Sequence, residues 1–138
     1  MISTALAVEL RAAGLRWTPA SGDAFQIARH DFEGDVFFVS DMTIEPHVHP
    51  TGTVLGFNGT TEWALDSVAL DDAVWLPRED QLRDLLRDTF VSLERRPSET
   101  GTRYVVTTSW GGAKHRDESD DPAEAYGHAL LRLLRASA

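Results

Sequence analysis

The sequence contains no cysteine among its 138 residues. Disulfide bonds and thiolate ligands for a metal ion are therefore excluded, and the burial of apolar side chains must hold the fold together. The lack of cysteine agrees with a reducing compartment, so we expect a cytoplasmic protein. Lysine is also scarce. The sequence contains one lysine, Lys114, and twelve arginines, a usage typical of GC-rich bacterial genomes.

Long apolar runs and excess positive charge are missing as well. No run approaches the roughly 18 apolar residues that a membrane-spanning helix needs, and Glu9 and Arg11 come too early for a secretory signal. The formal net charge is −9 and the isoelectric point is near 4.9. Because lysine and arginine supply most of the affinity for nucleic acid and anionic lipid, we expect binding to neither nucleic acid nor membrane.

Familiar catalytic motifs are absent from the sequence. It lacks the G-x-S-x-G and S-x-x-K patterns of serine nucleophiles, and GFNGTT lacks the lysine that ends a phosphate-binding loop. Within GFNGTT, the pair Asn58-Gly59 tolerates positive φ and is better explained as a hairpin turn. The sequence therefore favours a non-catalytic protein.

Three segments have the periodicity and end signals of helices. Ser3 can cap the first, Pro77 is predicted to occupy the first position of the second, and Asp121 can cap the third. In the second segment, Leu82, Leu85 and Leu86 fall on one apolar face and charged residues fall on the other. The predicted helices span residues 3–13, 77–88 and 121–135.

Strands are predicted where β-branched and aromatic residues cluster between turn signals. The predicted hairpins span residues 24–42, 53–68 and 90–109. Between the first two, IEPHVHPTG is interpreted as an irregular connector, and after the third, GGAKHRDESDD is interpreted as a polar loop. Together the segments predict a single α+β domain over residues 1–138, in which an antiparallel sheet of about six strands packs against three helices.

His47 and His49 form the sharpest candidate for a metal site. Residues two apart in an extended segment point to one side, roughly 6.6 Å apart, so two imidazoles can share a zinc or iron ion. Glu45 or Asp41 would have to complete the ligand set. The alternative is a surface connector without metal, which the flanking prolines favour.

The phrase PHVHP is similar to the metal motif of cupins. That motif continues with a glutamate a few residues later, where this sequence has Thr53 and Val54. It also requires a second half with another histidine, which does not follow here.

The other histidines have simpler explanations. His128 is expected to face water and to pair with Glu124 at i, i+4 rather than to act as a general base. His115 stands in AKHR, a local cationic cluster that is interpreted as part of a solvent-exposed loop; the alternative is a contact with an anionic group on a partner. His30 ends a predicted strand and has no evident partner.

Tryptophan is abundant, with four residues in the chain. Most should lie in the core, but one or two at an edge would suit an interface, where tryptophan is enriched. The predicted interface residues are Trp63, Trp110 and Leu131, and the surface would contact a protein partner or a second copy in a homodimer.

Three blocks carry a resemblance to a known group: GDVFFVSDMTIE, VLGFNGTTEWALDSV and AVWLPREDQLRDLL. They resemble a group of short actinobacterial proteins labelled pilus assembly protein, and the similarity covers most of the chain. The resemblance implies no established activity, cofactor or catalytic residue, and the chain lacks the phosphate loop of a pilus-assembly ATPase. The ending with DPAEAYGHALLRLL also resembles small phage-encoded α/β sandwich domains in layout.

Three hypotheses follow from the sequence. The first is a small, acidic, cytoplasmic α+β domain that acts by binding another protein or itself. The second is a metal-binding protein or metal-dependent enzyme that uses His47 and His49 with Glu45 or Asp41. The third is a small-molecule binder with a pocket between sheet and helices, which would require a cavity lined by tryptophan and arginine.

Overall fold

The computed structural model describes residues 1–28, 34–40, 44–49, 52–57 and 67–138, and for 44–49, 52–57 and 67–68 it describes the backbone. The chain divides into two compact units. The terminal unit comprises Met1–Arg16 and Pro77–Ala138, and the central unit comprises Trp17–Leu76. The expectation of one domain over residues 1–138 stays a prediction.

The described residues contain three α-helices and nine β-strands, which confirms the α+β class and the three predicted helices. In chain order the elements are α1 (Thr4–Ala12), β1 (Ala24–Ile27), β2 (Val36–Phe38), β3 (Ile44–His49), β4 (Gly52–Phe57), β5 (Ser67–Ala69), β6 (Ala73–Leu76), α2 (Glu79–Leu86), β7 (Phe90–Ser98), β8 (Gly101–Trp110), β9 (Ala113–Ser119) and α3 (Pro122–Ala136).

The helices begin at the predicted signals with one shift. The Ser3 side chain accepts from the Leu6 N–H at 3.1 Å, and the Asp121 side chain accepts from the Ala123 N–H at 3.1 Å. The second helix starts two residues later than predicted, because Arg78 has extended dihedrals (φ −74, ψ 163) and is its N-cap. Pro77 therefore precedes the helix instead of occupying its first turn.

The strands form three three-stranded antiparallel sheets, with orders β2-β1-β6, β3-β4-β5 and β7-β8-β9. The sequence predicted one sheet of about six strands. The pairs β1–β2 and β7–β8 confirm the hairpins at 24–42 and 90–109. Three strands were not predicted: β3, β6 and β9.

Two of the unpredicted strands have identifiable causes. IEPHVHPTG is not irregular over its first six residues, because β3 pairs with β4 from Ile44↔Phe57 to His49↔Gly52. A proline is tolerated in β3 because this strand lies at the end of its sheet. No element was predicted over AVWL, which directly precedes the predicted second helix, and in the structure these residues pair with β1 as strand β6.

The hairpin at 53–68 is confirmed as the pair β4–β5, but its register differs from the one expected. Gly56 lies opposite Ser67, so the connection between the paired residues is much longer than a two-residue turn at Asn58-Gly59 would give. The turn itself lies outside the described residues.

The segment predicted as a polar loop after Trp110 is instead a turn followed by strand β9. Gly111 and Gly112 have φ of +61 and +78, the combination of a two-residue hairpin turn that glycine adopts without steric cost. Trp110 then lies opposite Ala113 and the register continues to Tyr104↔Ser119. The charged residues of β9 are compatible with a strand at the end of its sheet.

The core of the terminal unit forms around α3, which contacts α1, α2, β8 and β9. Tyr126 is 1% exposed, and its ring centroid lies 5.7 Å from that of Phe90. Leu82 and Leu86 are fully buried and Leu85 is half-buried, whereas Arg83 and other charged residues of α2 are exposed, which confirms the predicted faces of that helix.

The core of the central unit lies on one face of the β2-β1-β6 sheet. It consists of Phe25, Ile27, Phe37, Val39 and Ala73, with Trp17 packed against it. Trp17 lies between Phe25 and Trp75, with ring centroids 5.5 Å and 6.3 Å away. Two of the four tryptophans, Trp17 and Trp75, therefore contribute to this aromatic cluster, and both are half-buried. The expectation that most tryptophans lie in the core stays a prediction.

Candidate functional site

The predicted metal ligands His47 and His49 lie two residues apart in strand β3. Their backbone partners on β4 are Val54 and Gly52. Glu45 lies in the same strand, and Asp41 is outside the described residues. The extended backbone that the metal hypothesis requires is thus present, while the metal site itself stays a prediction.

Elsewhere, residues with described side chains provide no group of three or more histidine, cysteine, aspartate or glutamate residues that could hold a metal ion. His30 and the predicted interface residue Trp63 lie outside the described residues.

The predicted interface residue Trp110 stacks on His115. Their ring centroids are 4.0 Å apart with an interplanar angle of 22°. The Gly111-Gly112 turn causes this contact, because it returns the chain so that His115 lies opposite Thr108, two residues before Trp110. Within the described residues, the Trp110 Nε1 and His115 Nε2 atoms are buried and have no hydrogen-bond partner. Trp110 is therefore engaged within its own hairpin and is only half-buried.

Leu131, the third predicted interface residue, is 4% exposed. It lies in the buried face of α3 and not at its margin, so little of its side chain is available to a partner. It contributes to the wall of an open cleft of about 390 Å³. The cleft is lined by Asp117, Glu118, His128, Leu131, Arg132 and Arg135.

A bidentate ion pair crosses this cleft from α3 to β9. Arg132 Nε and Nη2 donate to Asp117 at 3.2 Å and 3.0 Å. This hydrogen bond, with Coulomb attraction second, raises the pKa of the Arg132 guanidinium above its ordinary value. Nearby, His128 Nε2 lies 4.0 Å from Glu124, as the i, i+4 spacing predicted. The cleft is open and its charged side chains form ion pairs, so it is a polar surface.

A different surface, which was not predicted from the sequence, lies on strand β2. Phe38 is 54% exposed and Val36 is 37% exposed. Both lie on the same face of the sheet, since residues two apart in a strand point to one side. We call these two side chains the β2 patch.

The β2 patch continues a face that is buried elsewhere. Phe38 lies opposite Ala24, which lies opposite Leu76, and these two are 1% and 2% exposed. The face is therefore covered over β1 and β6 and open at β2. Other exposed apolar side chains, such as Val8 on α1 and Val91 on β7, stand on separate elements.

Alternate backbone N–H and C=O groups of β2 point away from β1, toward the outer edge of the sheet. The Val39 N–H donates to the Asp23 carbonyl oxygen at 2.8 Å, and the register continues to Phe25↔Phe37. Because hydrogen-bonded residues alternate in an antiparallel pair, the backbone groups of Val36 and Phe38 point away from β1.

Strand β2 lacks the protecting residues that are present in β7 and β9, the two end strands of the β7-β8-β9 sheet. Charged residues, a proline or a bulge usually protect such strands from pairing with other chains. Strand β7 has a register shift between Phe90 and Ser92. The protecting residues are Glu94, Arg95, Arg96 and Pro97 in β7, and Lys114, Arg116, Asp117 and Glu118 in β9. Strand β2 consists of VFF and has no charged residue.

The sequence contained a signal for the β2 patch that could not be used alone. The run Val36–Val39 is apolar at four consecutive positions, which predicts burial on both faces. In the structure the face of Phe37 and Val39 is buried, whereas the face of Val36 and Phe38 is open at β2.

Comparisons with protein families, with curated proteins and with solved structures find no match.

No helix in the described part of the chain has the length and apolar character needed to cross a membrane.

Proposed function

We propose that the protein is a small, non-catalytic, acidic protein-interaction domain and that the β2 patch is its contact surface. A cytoplasmic location is part of the proposal, since the sequence has no cysteine. The resemblance to proteins labelled pilus assembly is compatible with this role, because members of an assembly act by contacting other proteins.

The observation that carries the proposal is the exposure of Phe38 and Val36 on one face of a strand without charge. Exposed neighbouring apolar side chains are characteristic of protein contact sites, and aromatic residues contribute most to such contacts. The outward backbone groups of the same two residues add hydrogen-bonding capacity at this position.

Site-specific photocrosslinking in the source organism tests the proposal. We would replace Phe38 with p-benzoylphenylalanine and, as a matched control, replace Val91, which is 47% exposed on another strand. We expect discrete crosslinked products from position 38 and not from position 91. Products that are absent at position 38, or identical at both positions, would contradict the proposed surface.

Size-exclusion chromatography with light scattering separates the two kinds of partner. A dimer that dissociates on Phe38→Ser would identify a second copy as the partner. A monomer that still gives crosslinked products at position 38 would identify a different protein.

A metal-binding role is the second candidate, favoured by the extended backbone of β3 around His47 and His49. A zinc or iron ion would be held by these two imidazoles together with Glu45 or Asp41. Elemental analysis of protein purified without an affinity tag tests this candidate. We expect bound metal that is lost in His47→Ala and His49→Ala; protein without metal, or metal retained by both variants, would exclude it.

A further inference from the structure

The acidic charge of the chain is concentrated in the central unit. Trp17–Leu76 contains ten aspartate and glutamate residues and one arginine, Arg29, which gives a formal charge of −9. Met1–Arg16 and Pro77–Ala138 together contain twelve acidic and twelve basic residues, so the terminal unit is neutral. The whole net charge of the protein thus belongs to the unit that contains the β2 patch.

Described acidic residues lie at one end of the sheet that carries the patch. Asp35 is exposed and directly precedes Val36. On the other side of β1, the Ala28 N–H donates to the Asp72 carbonyl oxygen at 2.7 Å, and the adjacent Asp71 is exposed. Since β1 ends at Ile27, Asp35, Asp71 and Asp72 all lie near the same end of the sheet.

We infer that the β2 patch binds a basic, extended segment of another protein, with apolar residues at alternate positions. This inference rests on the proposed function and names its partner. Val36 and Phe38 are two residues apart in a strand, roughly 6.6 Å, which matches the spacing of alternate side chains in an extended segment. Lysine or arginine residues between or beside the apolar ones are attracted by the acidic central unit.

The charge distribution disfavours the other occupants. Two copies meeting at β2 would bring two units of charge −9 together, and like charges oppose association. Nucleic acid and anionic lipid are repelled for the same reason.

Fluorescence anisotropy with three labelled peptides of about nine residues, long enough to contain a typical strand of about five to six residues, tests the inference. The peptides alternate lysine with valine, glutamate with valine, or lysine with serine. We expect the lysine–valine peptide to bind at least about tenfold more tightly than the other two, and its affinity to fall as salt rises from about 50 to 500 mM.

Substitutions in the protein identify the surface. Phe38→Ser should weaken binding of the lysine–valine peptide about tenfold, and Asp35→Asn should weaken it about threefold and reduce its salt dependence. Val91→Ser is the matched control and should leave binding unchanged. Circular dichroism and thermal unfolding check that each variant folds, and Val36→Ser replaces Phe38→Ser if the latter does not.

The outcomes separate the inference from the proposed function. If the two valine peptides bind equally and both lose affinity on Phe38→Ser, the basic partner is wrong while protein contact at the β2 patch stands. If the lysine–serine peptide binds as tightly as the lysine–valine peptide, the apolar contact is wrong. If Phe38→Ser changes nothing, the β2 patch is not the binding surface. A dimer formed through β2 would replace the basic partner with a second copy.

Discussion

The indole N–H of Trp17 donates to Asp23 Oδ2 at 2.9 Å, and Asp23 is 2% exposed. The same oxygen accepts from the Ala20 N–H at 3.0 Å. One buried carboxylate thus fixes the chain that leads into β1 and places the Trp17 ring against Phe25 and Trp75.

Asp23→Ala should destabilise the protein by about 2–3 kcal/mol, because it leaves the Trp17 and Ala20 donors without this acceptor. Urea denaturation followed by tryptophan fluorescence measures the change. Asp23→Asn retains one carbonyl oxygen and should cost less than the alanine variant. An unchanged urea midpoint for Asp23→Ala would show that this carboxylate does not organise the segment.

Gly127 is required by the close approach of α3 to α1. A Cβ at this position would lie 2.6 Å from Leu6 Cδ2, and Leu6 is 3% exposed. Gly127→Ala should therefore destabilise by up to about 2 kcal/mol, the difference between an overpacking cost of about 1–3 kcal/mol and a gain of about 1 kcal/mol in helix propensity.

A double-mutant cycle with Leu6→Ala checks this cause, because removal of the Leu6 side chain removes the clash. We expect Gly127→Ala to be neutral or stabilising in the Leu6→Ala background. An equal loss of stability in both backgrounds would mean that the contact with Leu6 is not the cause.

The Gly111 position tests whether the hairpin turn depends on conformation alone. A Cβ there meets nothing within 4 Å, so only the φ of +61 opposes substitution. Gly111→Val should cost about 1–2 kcal/mol, whereas Gly111→Asn should be nearly neutral because asparagine tolerates the left-handed region. Thermal unfolding measures both, and near-ultraviolet circular dichroism reports the Trp110–His115 stack. Equal stability of the two variants would contradict the turn assignment.

Acid sensitivity is expected from Asp80 on α2. A hydrogen bond from the Arg78 side chain lowers the pKa of Asp80 below its ordinary value of 3.8; burial opposes the shift and Coulomb attraction to Arg78 assists it. Because the folded pKa is the lower one, the stabilising contribution is present above the ordinary value and is lost as pH falls through the folded pKa.

NMR titration of the Asp80 carboxyl carbon should show a higher midpoint in Arg78→Ala than in the unmodified protein. Arg87→Ala is the control and should leave the titration unchanged. An equal midpoint in Arg78→Ala would mean that another group lowers the Asp80 pKa.

Much of the helical structure could be predicted because its signals are local. Ser3 and Asp121 cap the helices as their sequence positions indicate, and the spacing of Leu82 and Leu86 identifies a buried face. Strands are harder, because a polar segment such as β9 becomes a strand only when its neighbour supplies hydrogen bonds. The glycine pair before it was visible in the sequence, but its turn conformation was not.

The surroundings of the residues singled out as functional candidates depend on tertiary structure. Trp110 and His115 were each identified from sequence, but their stacking depends on the register of the β8–β9 hairpin. Leu131 was expected at a surface and is buried, because α3 is covered over a wider arc than its apolar stripe indicated.

Sequence alone determined the helices, the acidic character of the protein and its concentration in residues 17–76, since capping, periodicity and charge are properties of neighbouring residues or simple counts. The tertiary structure decided which strands pair and therefore which apolar side chains stay exposed. Phe37 and Phe38 are adjacent and chemically identical, yet the former is 8% and the latter 54% exposed. Their difference arises because hydrogen bonding to β1 fixes the orientation of β2. Phe37 lies on the face that carries the aromatic core of the central unit, whereas Phe38 lies on the opposite face, which is covered over β1 and β6 and open at β2.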